Sequence, residues 1–226
     1  TDSRLNRNFA IYGASGSGKS RAFVRNMVLQ AVRRGESVII TDPKSELFED
    51  MAAYLSASGY TVRVLNLIRP QNSDSWNCLN EVGDEVMAQV FADTMIKNTS
   101  SGKSDHFWDN SEMNLLKALI LYVRFTYPER LCNIGEVYQL LCNESEAALT
   151  KMIGALPPGH PAKAPYNIFK QAADSVRGGV IIGLGSRLQV FQSELIRKIT
   201  SFDEIDLELP AKEKCAFFCI TSDQDS

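Results

Sequence analysis

The sequence predicts an α/β fold with a parallel sheet, interrupted by an all-α insertion. Two observations support this prediction. Over residues 1–80, short β-rich segments alternate with helical ones in a βαβαβ order, which gives parallel strands. From residue 81 to about residue 175 the periodicity is helical throughout, and a strand-like segment returns only at 215–220. We therefore predict an α/β domain in two parts, residues 1–80 and 176–226, with the insertion at 81–175.

Each element follows from its apolar period and its end signals. The predicted strands are residues 9–12, 37–41, 61–66 and 215–220. The predicted helices are residues 19–34, 44–58, 84–97, 108–127, 134–142, 144–156 and 166–191. Gly35 is placed to end the first helix, because glycine readily adopts the left-handed conformation that closes helices. In helix 108–127, one face predicts packing within the insertion; its residues are Leu116, Leu119, Ile120 and Val123.

Composition excludes several classes of protein. The 226 residues carry 24 Lys and Arg against 27 Asp and Glu, a net charge of -3, so the chain is not a polybasic nucleic-acid binder. Five cysteines without a CxxC pair indicate neither a disulfide framework nor a zinc site, and fit a reducing compartment. The most apolar segment, 115–125, contains two basic residues and is too short to cross a bilayer.

Residues 13–20 match the phosphate-binding pattern GxxxxGK[ST] at every required position. They are Gly13, Ala14, Ser15, Gly16, Ser17, Gly18, Lys19 and Ser20. The glycines allow successive backbone N–H groups to point into one concavity, where the next helix adds its unpaired N-terminal donors. This pattern predicts binding of nucleotide phosphates with Mg²⁺: Lys19 is the catalytic residue that reaches the β- and γ-phosphates, and the Ser20 hydroxyl can complete the Mg²⁺ shell. Arg21, the next residue, is included in the predicted binding set.

A second group of polar residues follows the strand at 37–41. Asp42, Lys44 and Glu46 lie where the carboxyl end of that strand is expected, which is the edge where ligands bind in open α/β sheets. Asp42 is predicted to be the N-cap of the next helix, with Pro43 at the first helical position. Whether Asp42, Lys44 and Glu46 also contribute directly to the nucleotide site stays open, and the cap role is expected in either case.

Further segments accompany the phosphate-binding motif in a fixed order. They are 42–47 (Asp-Pro-Lys-Ser-Glu-Leu), 75–80 (Ser-Trp-Asn-Cys-Leu-Asn), 105–108 (Asp-His-Phe-Trp), 175–179 (Ser-Val-Arg-Gly-Gly) and 201–207 (Ser-Phe-Asp-Glu-Ile-Asp-Leu). In this order they resemble the TraG-like coupling proteins of type IV secretion, and the resemblance covers nearly the whole chain. The sequence departs from the family pattern at Cys78, where proline is usual.

The resemblance implies a RecA-like ATPase of the conjugation machinery. Such a motor hydrolyses ATP to move single-stranded DNA, with its attached relaxase, into the secretion channel at the cytoplasmic face of the bacterial inner membrane. It also implies a homo-hexamer, in which a neighbouring subunit supplies an arginine; Arg7 and Arg177 are the candidates here. The family's membrane helices and its Asp-Glu metal-binding pair are expected outside this sequence, upstream of Thr1 and beyond Ser226. The chain on its own is therefore expected to hydrolyse ATP very slowly.

Two alternatives stay open at this point. The first is another P-loop enzyme, such as a small-molecule kinase or a different DNA translocase. The second is a non-hydrolysing module, in which the helical insertion docks relaxase or channel proteins and the nucleotide only sets conformation. The motifs after the first are each weak in isolation, and it is their order along the chain that favours the coupling-protein interpretation.

Overall fold

A computed structural model describes residues 8–14, 16–100 and 106–222. The strands are β1 (Val38–Thr41), β2 (Thr61–Asn66) and β3 (Cys215–Ile220). The helices are α1 (Arg25–Arg34), α2 (Glu46–Ala57), α3 (Glu85–Thr99), α4 (His106–Thr126), α5 (Ile134–Asn143), α6 (Glu146–Gly154), α7 (Lys163–Lys170), α8 (Asp174–Arg187), α9 (Glu194–Ile199) and α10 (Leu209–Lys212). A π-helical turn, Ser20–Val24, precedes α1, and four short 3₁₀ turns lie at Pro70–Asn72, Cys78–Glu81, Glu129–Leu131 and Gln189–Gln192.

These elements form two compact units. An α/β unit is built from Thr1–Ser73 and Asp206–Ser226, and a helical unit from Asp74–Ile205. The helical unit is wider than the predicted insertion at 81–175, because α8 packs on α4 and α5. Whether the two units correspond to functional domains stays a prediction.

The α/β unit contains a three-stranded parallel sheet in the order β1-β3-β2. The last strand in the chain therefore lies between the two earlier ones, with Ile39 opposite Phe217 and Val64 opposite Phe218. Helices α1 and α2 supply the apolar side chains that cover one face. This core contains Val28, Leu47, Met51, Leu55, Tyr60, Val64, Ala216, Phe218 and Ile220. The predicted parallel sheet is confirmed, and Gly35 ends α1 in the left-handed conformation as expected (φ 69°).

The predicted strand at residues 9–12 is wrong. These residues form no strand, and Phe9 and Tyr12 are 71% and 92% exposed. An extended apolar segment becomes a strand only when a neighbouring strand accepts its backbone hydrogen bonds. Within the described residues, no strand pairs with this segment. Apolar and β-branched composition alone was therefore an insufficient signal.

The helical unit is organised around α4. Its residues Leu116, Leu119, Ile120 and Val123 are fully buried, which confirms the predicted packing face. The neighbours that surround α4 are α3, α5, α7 and α8. The described residues of 81–175 contain helices and turns but no strand, and nowhere in the described ranges is a helix both long and apolar enough to cross a bilayer.

The single helix predicted at 166–191 is also wrong, because the chain breaks between α7 and α8. Ala173 is extended (φ -62°, ψ 154°), and the guanidinium of Arg177 donates to the carbonyls of Lys170 and Ala172 across this break. Arg177 also pairs with Glu146 at 2.5 Å. A side chain with this many partners in its own unit does not fit the role of a free arginine finger; Arg7 lies outside the described residues.

A second arginine, Arg187, links α8 to α3 and α4. Arg187 pairs with Glu112 at 2.5 Å and with Asp109 at 2.6 Å, and donates to the carbonyl of Ile96 at 3.1 Å. Burial raises the pKa of Glu112, although Arg187 acts in the opposite direction. The carboxylate fits against α8 because residue 183 is glycine: a Cβ there would lie 2.0 Å from Glu112 Oε1.

Two of the segments that carried the family resemblance contact each other in the helical unit. Asp203 accepts hydrogen bonds from the backbone N–H of Asn77 and from the side chain of Asn80, and Glu204 accepts one from the N–H of Ser75. The Asn77 amide also donates to the Cys132 carbonyl. These residues hold the backbone in place, so their pattern in the sequence reflects structure rather than nucleotide chemistry.

Replacing Gly183 by alanine is expected to destabilise the chain by about 1–3 kcal/mol, because the new methyl group overlaps the Glu112 carboxylate. Gly185→Ala, in the same helix, is the matched control. Its Cβ meets no atom within 4 Å, so that variant is expected to be more stable by about 0.5–1 kcal/mol. Urea unfolding, followed by circular dichroism, measures the free energy of unfolding of both variants. Equal effects of the two variants would contradict the packing described here.

Candidate nucleotide-binding site

The phosphate-binding loop has the backbone conformation that its glycines permit. Gly16 and Gly18 have φ values of 78° and 80°, in the region that side chains disfavour, and open space lies beside both. Gly13 is required for a different reason: a Cβ there would lie 2.6 Å from Ser17 Oγ. Of the predicted loop residues, only Ser15 lies outside the described part of the chain. The loop thus forms an open backbone cradle before the helix.

Lys19 lies over this cradle. Its ammonium donates to the carbonyls of Gly13 and Ala14, at 2.5 and 2.9 Å. The π-helical turn starts at Ser20, with Lys19 as its N-cap residue, so the unpaired N–H groups of the first turn follow directly after Lys19. An incoming phosphate would find both kinds of donor at one place, and would replace two neutral carbonyls as the partner of Lys19.

A cavity of about 590 Å³ lies between this loop and the residues that follow β1. This volume is within the usual range for small-molecule sites. The wall contains Lys19 and Ser20 from one side and, from the other, all three residues of the second predicted group, Asp42, Lys44 and Glu46. Two segments that the sequence could only place near one sheet edge therefore share a single cavity.

The charge of this cavity suits a polyanion. Four basic side chains line it, against two carboxylates; the basic residues are Lys19, Arg21, Arg25 and Lys44, and the acidic ones are Asp42 and Glu46. Nucleoside triphosphates carry several negative charges within a few ångströms, and such clusters of basic groups with helix N–H donors are their usual binding environment.

Asp42 caps α2, but not in the predicted way. The helix begins at Glu46, so neither Asp42 as N-cap nor Pro43 at the first helical position is correct. The N-cap residue is Ser45, which adopts a left-handed conformation (φ 58°) that suits glycine better. Asp42, which is only 4% exposed, reaches past it and accepts a hydrogen bond from the N–H of Phe48 at 2.9 Å.

Arg25 is a site residue that the prediction missed. It lines the cavity from the beginning of α1 and pairs with Asp50 of α2. The signal in the sequence was weak: Arg25 follows Lys19 by six residues within a segment whose positive charge also fits a solvated helix face. In the structure, the Arg25–Asp50 ion pair links α1, which follows the phosphate loop, to α2, which follows Asp42.

The donor groups are consistent with Mg²⁺ bound through a nucleotide rather than by the protein alone. Within the described ranges, no group of three or more His, Cys, Asp or Glu side chains could hold a metal ion. The Ser20 hydroxyl and the Asp42 and Glu46 carboxylates nevertheless line the same cavity. Mg²⁺ with phosphate oxygens as its main ligands needs only one or two such groups.

The family of the chain is shown by a sequence comparison. The model of the type IV secretory system conjugative DNA transfer family matches residues 4–226. The chain belongs to this family. The match covers both units and fits the interpretation of the motifs given above, whereas a small-molecule kinase would not produce it. No curated protein sequence matches the chain.

Solved structures of a coupling protein have a similar fold. The unbound form of the bacterial conjugative coupling protein TrwB without its first 70 residues has a TM-score of 0.59 and 19% identity over 91% of this chain. TrwB bound to the ATP analogue ADPNP has a TM-score of 0.58 and 19% identity over 91%; TrwB bound to GDPNP has 0.58 and 20% over 92%. The chain spans 44–45% of the length of these structures.

The cap made by Asp42 can be tested separately from its charge. Asp42→Ala is expected to cost about 1–2 kcal/mol, because the Phe48 N–H loses its acceptor. Asp42→Asn keeps an acceptor oxygen, so its loss of folding stability is expected to be less than half that of Asp42→Ala. Thermal unfolding of the chain without nucleotide gives both values. Equal losses would show that the negative charge, and not the hydrogen bond, stabilises α2.

Proposed function

We propose that this conjugative DNA-transfer chain is the nucleotide-binding part of a coupling protein and takes ATP into the cavity between the phosphate loop and Asp42. The observation that carries the proposal is the shared cavity, which is lined both by residues 16–20 of the phosphate-binding motif and by the second predicted group. The nucleotide analogues bound by TrwB support it, since that protein shares the fold.

The residues of the chain would divide the work as follows. The backbone N–H groups of residues 16–20 hold the α- and β-phosphates, and Lys19 leaves the carbonyls of Gly13 and Ala14 to contact the β- and γ-phosphates. Arg21 and Lys44 add positive charge at the cavity wall. Mg²⁺, held by Ser20 and the phosphates, would neutralise the charge that develops as the γ-phosphoryl group departs.

The two carboxylates in the cavity have different roles in this proposal. The Asp42 carboxylate accepts a hydrogen bond from the Phe48 N–H and so positions the segment that follows it. No described residue makes a hydrogen bond to the Glu46 side chain. Glu46 is therefore the carboxylate available to a water molecule or to the metal shell. One loosely placed carboxylate orients water poorly, so slow hydrolysis is expected from this chain on its own.

The wider activity follows from membership of the family and is part of the proposal. ATP hydrolysis would drive single-stranded DNA and its attached relaxase to the channel proteins of the secretion system. The active form would be a homo-hexamer at the cytoplasmic face of the bacterial inner membrane, anchored through segments outside this chain. A neighbouring subunit would then complete the site with an arginine, worth about 10³ or more in rate.

The test is transfer by the intact coupling protein carrying Lys19→Ala. Plasmid transfer in a mating assay is expected to fall by about 10³ or more, because the phosphates lose their main cation, while the fold is retained. Lys198→Ala, an exposed lysine on α9, is the matched control and should transfer normally. The purified 226-residue chain should release phosphate at a rate near background. Normal transfer by Lys19→Ala would reject the motor role and favour a docking module that needs no hydrolysis.

A further inference from the structure

A second cavity of about 590 Å³ lies within the helical unit, far along the chain from the phosphate loop. It is bounded by α3, α4, the proline-rich turn before α7 and the first residues of α7 itself. The polar residues of its wall are Glu85, Lys117, His160, Lys163 and Asn167. We refer to it as the basic recess, because three of these five side chains are basic.

Among the residues that the structure describes, the two lysines of the basic recess have no carboxylate within ion-pair distance. Lys117, which is half-buried, donates only to the neutral amide oxygen of Gln89, at 3.1 Å. Lys163 is also half-buried, and its ammonium has no hydrogen-bond or ion-pair partner among the described residues. Arg177 and Arg187 of the same unit, by contrast, each pair with two carboxylates. Two partly desolvated ammonium groups without counter-charge favour an external anion.

His160 lies in the same wall with a fixed ring orientation. Its Nδ1 accepts a hydrogen bond from the Ala162 N–H at 3.2 Å, so the neutral ring carries its proton on Nε2, which is buried and has no partner among the described residues. The ring contacts Phe125 edge-on and is held in a turn where Gly159 has a φ of 83°. The orientation of the ring is therefore set by contacts within the helical unit.

The surroundings favour a protein partner over a nucleic acid. Apolar side chains are exposed beside the recess: Val86 is 69% exposed next to Glu85, and Phe125 is 48% exposed against His160. Protein interfaces combine such apolar groups with a few charged contacts. A nucleic-acid strand has a negative charge at every nucleotide, and would place phosphates against the Glu85 carboxylate.

We propose that the basic recess binds an acidic segment of a protein partner, with a Glu or Asp carboxylate of that segment between Lys117 and Lys163 and its apolar residues on Val86 and Phe125. The segment would supply an ion-pair partner to two ammonium groups that have none among the described residues. This inference does not depend on nucleotide binding, since the phosphate loop and the recess share no residue.

The probe for this site is a fluorescein-labelled peptide in which glutamate pairs alternate with leucine pairs, and its matched control has glutamine in place of glutamate. Fluorescence polarisation with the whole chain is expected to show saturable binding of the acidic peptide alone, weakening as salt is added. Lys163→Ala and Lys117→Ala should each weaken binding about tenfold, as expected for one partly buried charge pair. Glu85→Gln should strengthen it.

Two controls make the result decisive. Lys151→Ala removes an exposed lysine of α6 that does not line the recess, and should bind the peptide as the unaltered chain does. Lys163→Glu reverses the charge, and its unfolding temperature shows whether the fold is intact. The proposal is overturned if the chain shows no saturable binding up to about 1 mM peptide, or if Lys151→Ala weakens binding as much as Lys163→Ala. It is also overturned if oligothymidylate binds in the recess and displaces the peptide.

Discussion

Asp42 makes the hydrogen bonds on which the geometry of the nucleotide cavity depends. Its backbone N–H donates to the Cys219 carbonyl of the neighbouring strand, and its side chain accepts from Phe48 in α2. The residue therefore fixes where β1 ends, where α2 begins and how the segment between them faces the phosphate loop. Lys44 and Glu46 line the cavity because these hydrogen bonds hold the short connection between β1 and α2 in place.

Two arginines organise the helical unit. Arg177 and Arg187 each donate to carboxylates and backbone carbonyls within the unit. Arg177 thereby stabilises the break before α8, and Arg187 holds α8 against α3 and α4. The lysines at the basic recess pair with no carboxylate in the described part of the chain. Buried or half-buried charge in a protein is usually paired, so the contrast separates structural arginines from lysines available to a partner.

Motif and periodicity predicted most of the fold and the centre of the site, for physical reasons that can be named. The phosphate loop needs glycine at fixed positions, and strands β1 and β3 are almost entirely apolar, so these features are visible in the sequence. The prediction for 9–12 was wrong because strand formation depends on a partner strand. The break near Ala173 was missed because it is stabilised by hydrogen bonds from the Arg177 side chain to backbone carbonyls, which an apolar period does not encode. The Arg25–Asp50 pair was missed because no local pattern encodes a contact between two helices.

The central claim is that Lys19 exchanges its loop carbonyls for nucleotide phosphate in the cavity that Asp42 borders. A crystal structure of the chain with a non-hydrolysable ATP analogue and Mg²⁺ measures this directly. The account predicts Lys19 Nζ within about 3 Å of a β- or γ-phosphate oxygen, no longer bonded to Gly13 and Ala14, with Glu46 facing the γ-phosphate. An analogue bound elsewhere, or a Lys19 that keeps both carbonyl bonds beside a bound nucleotide, would contradict it.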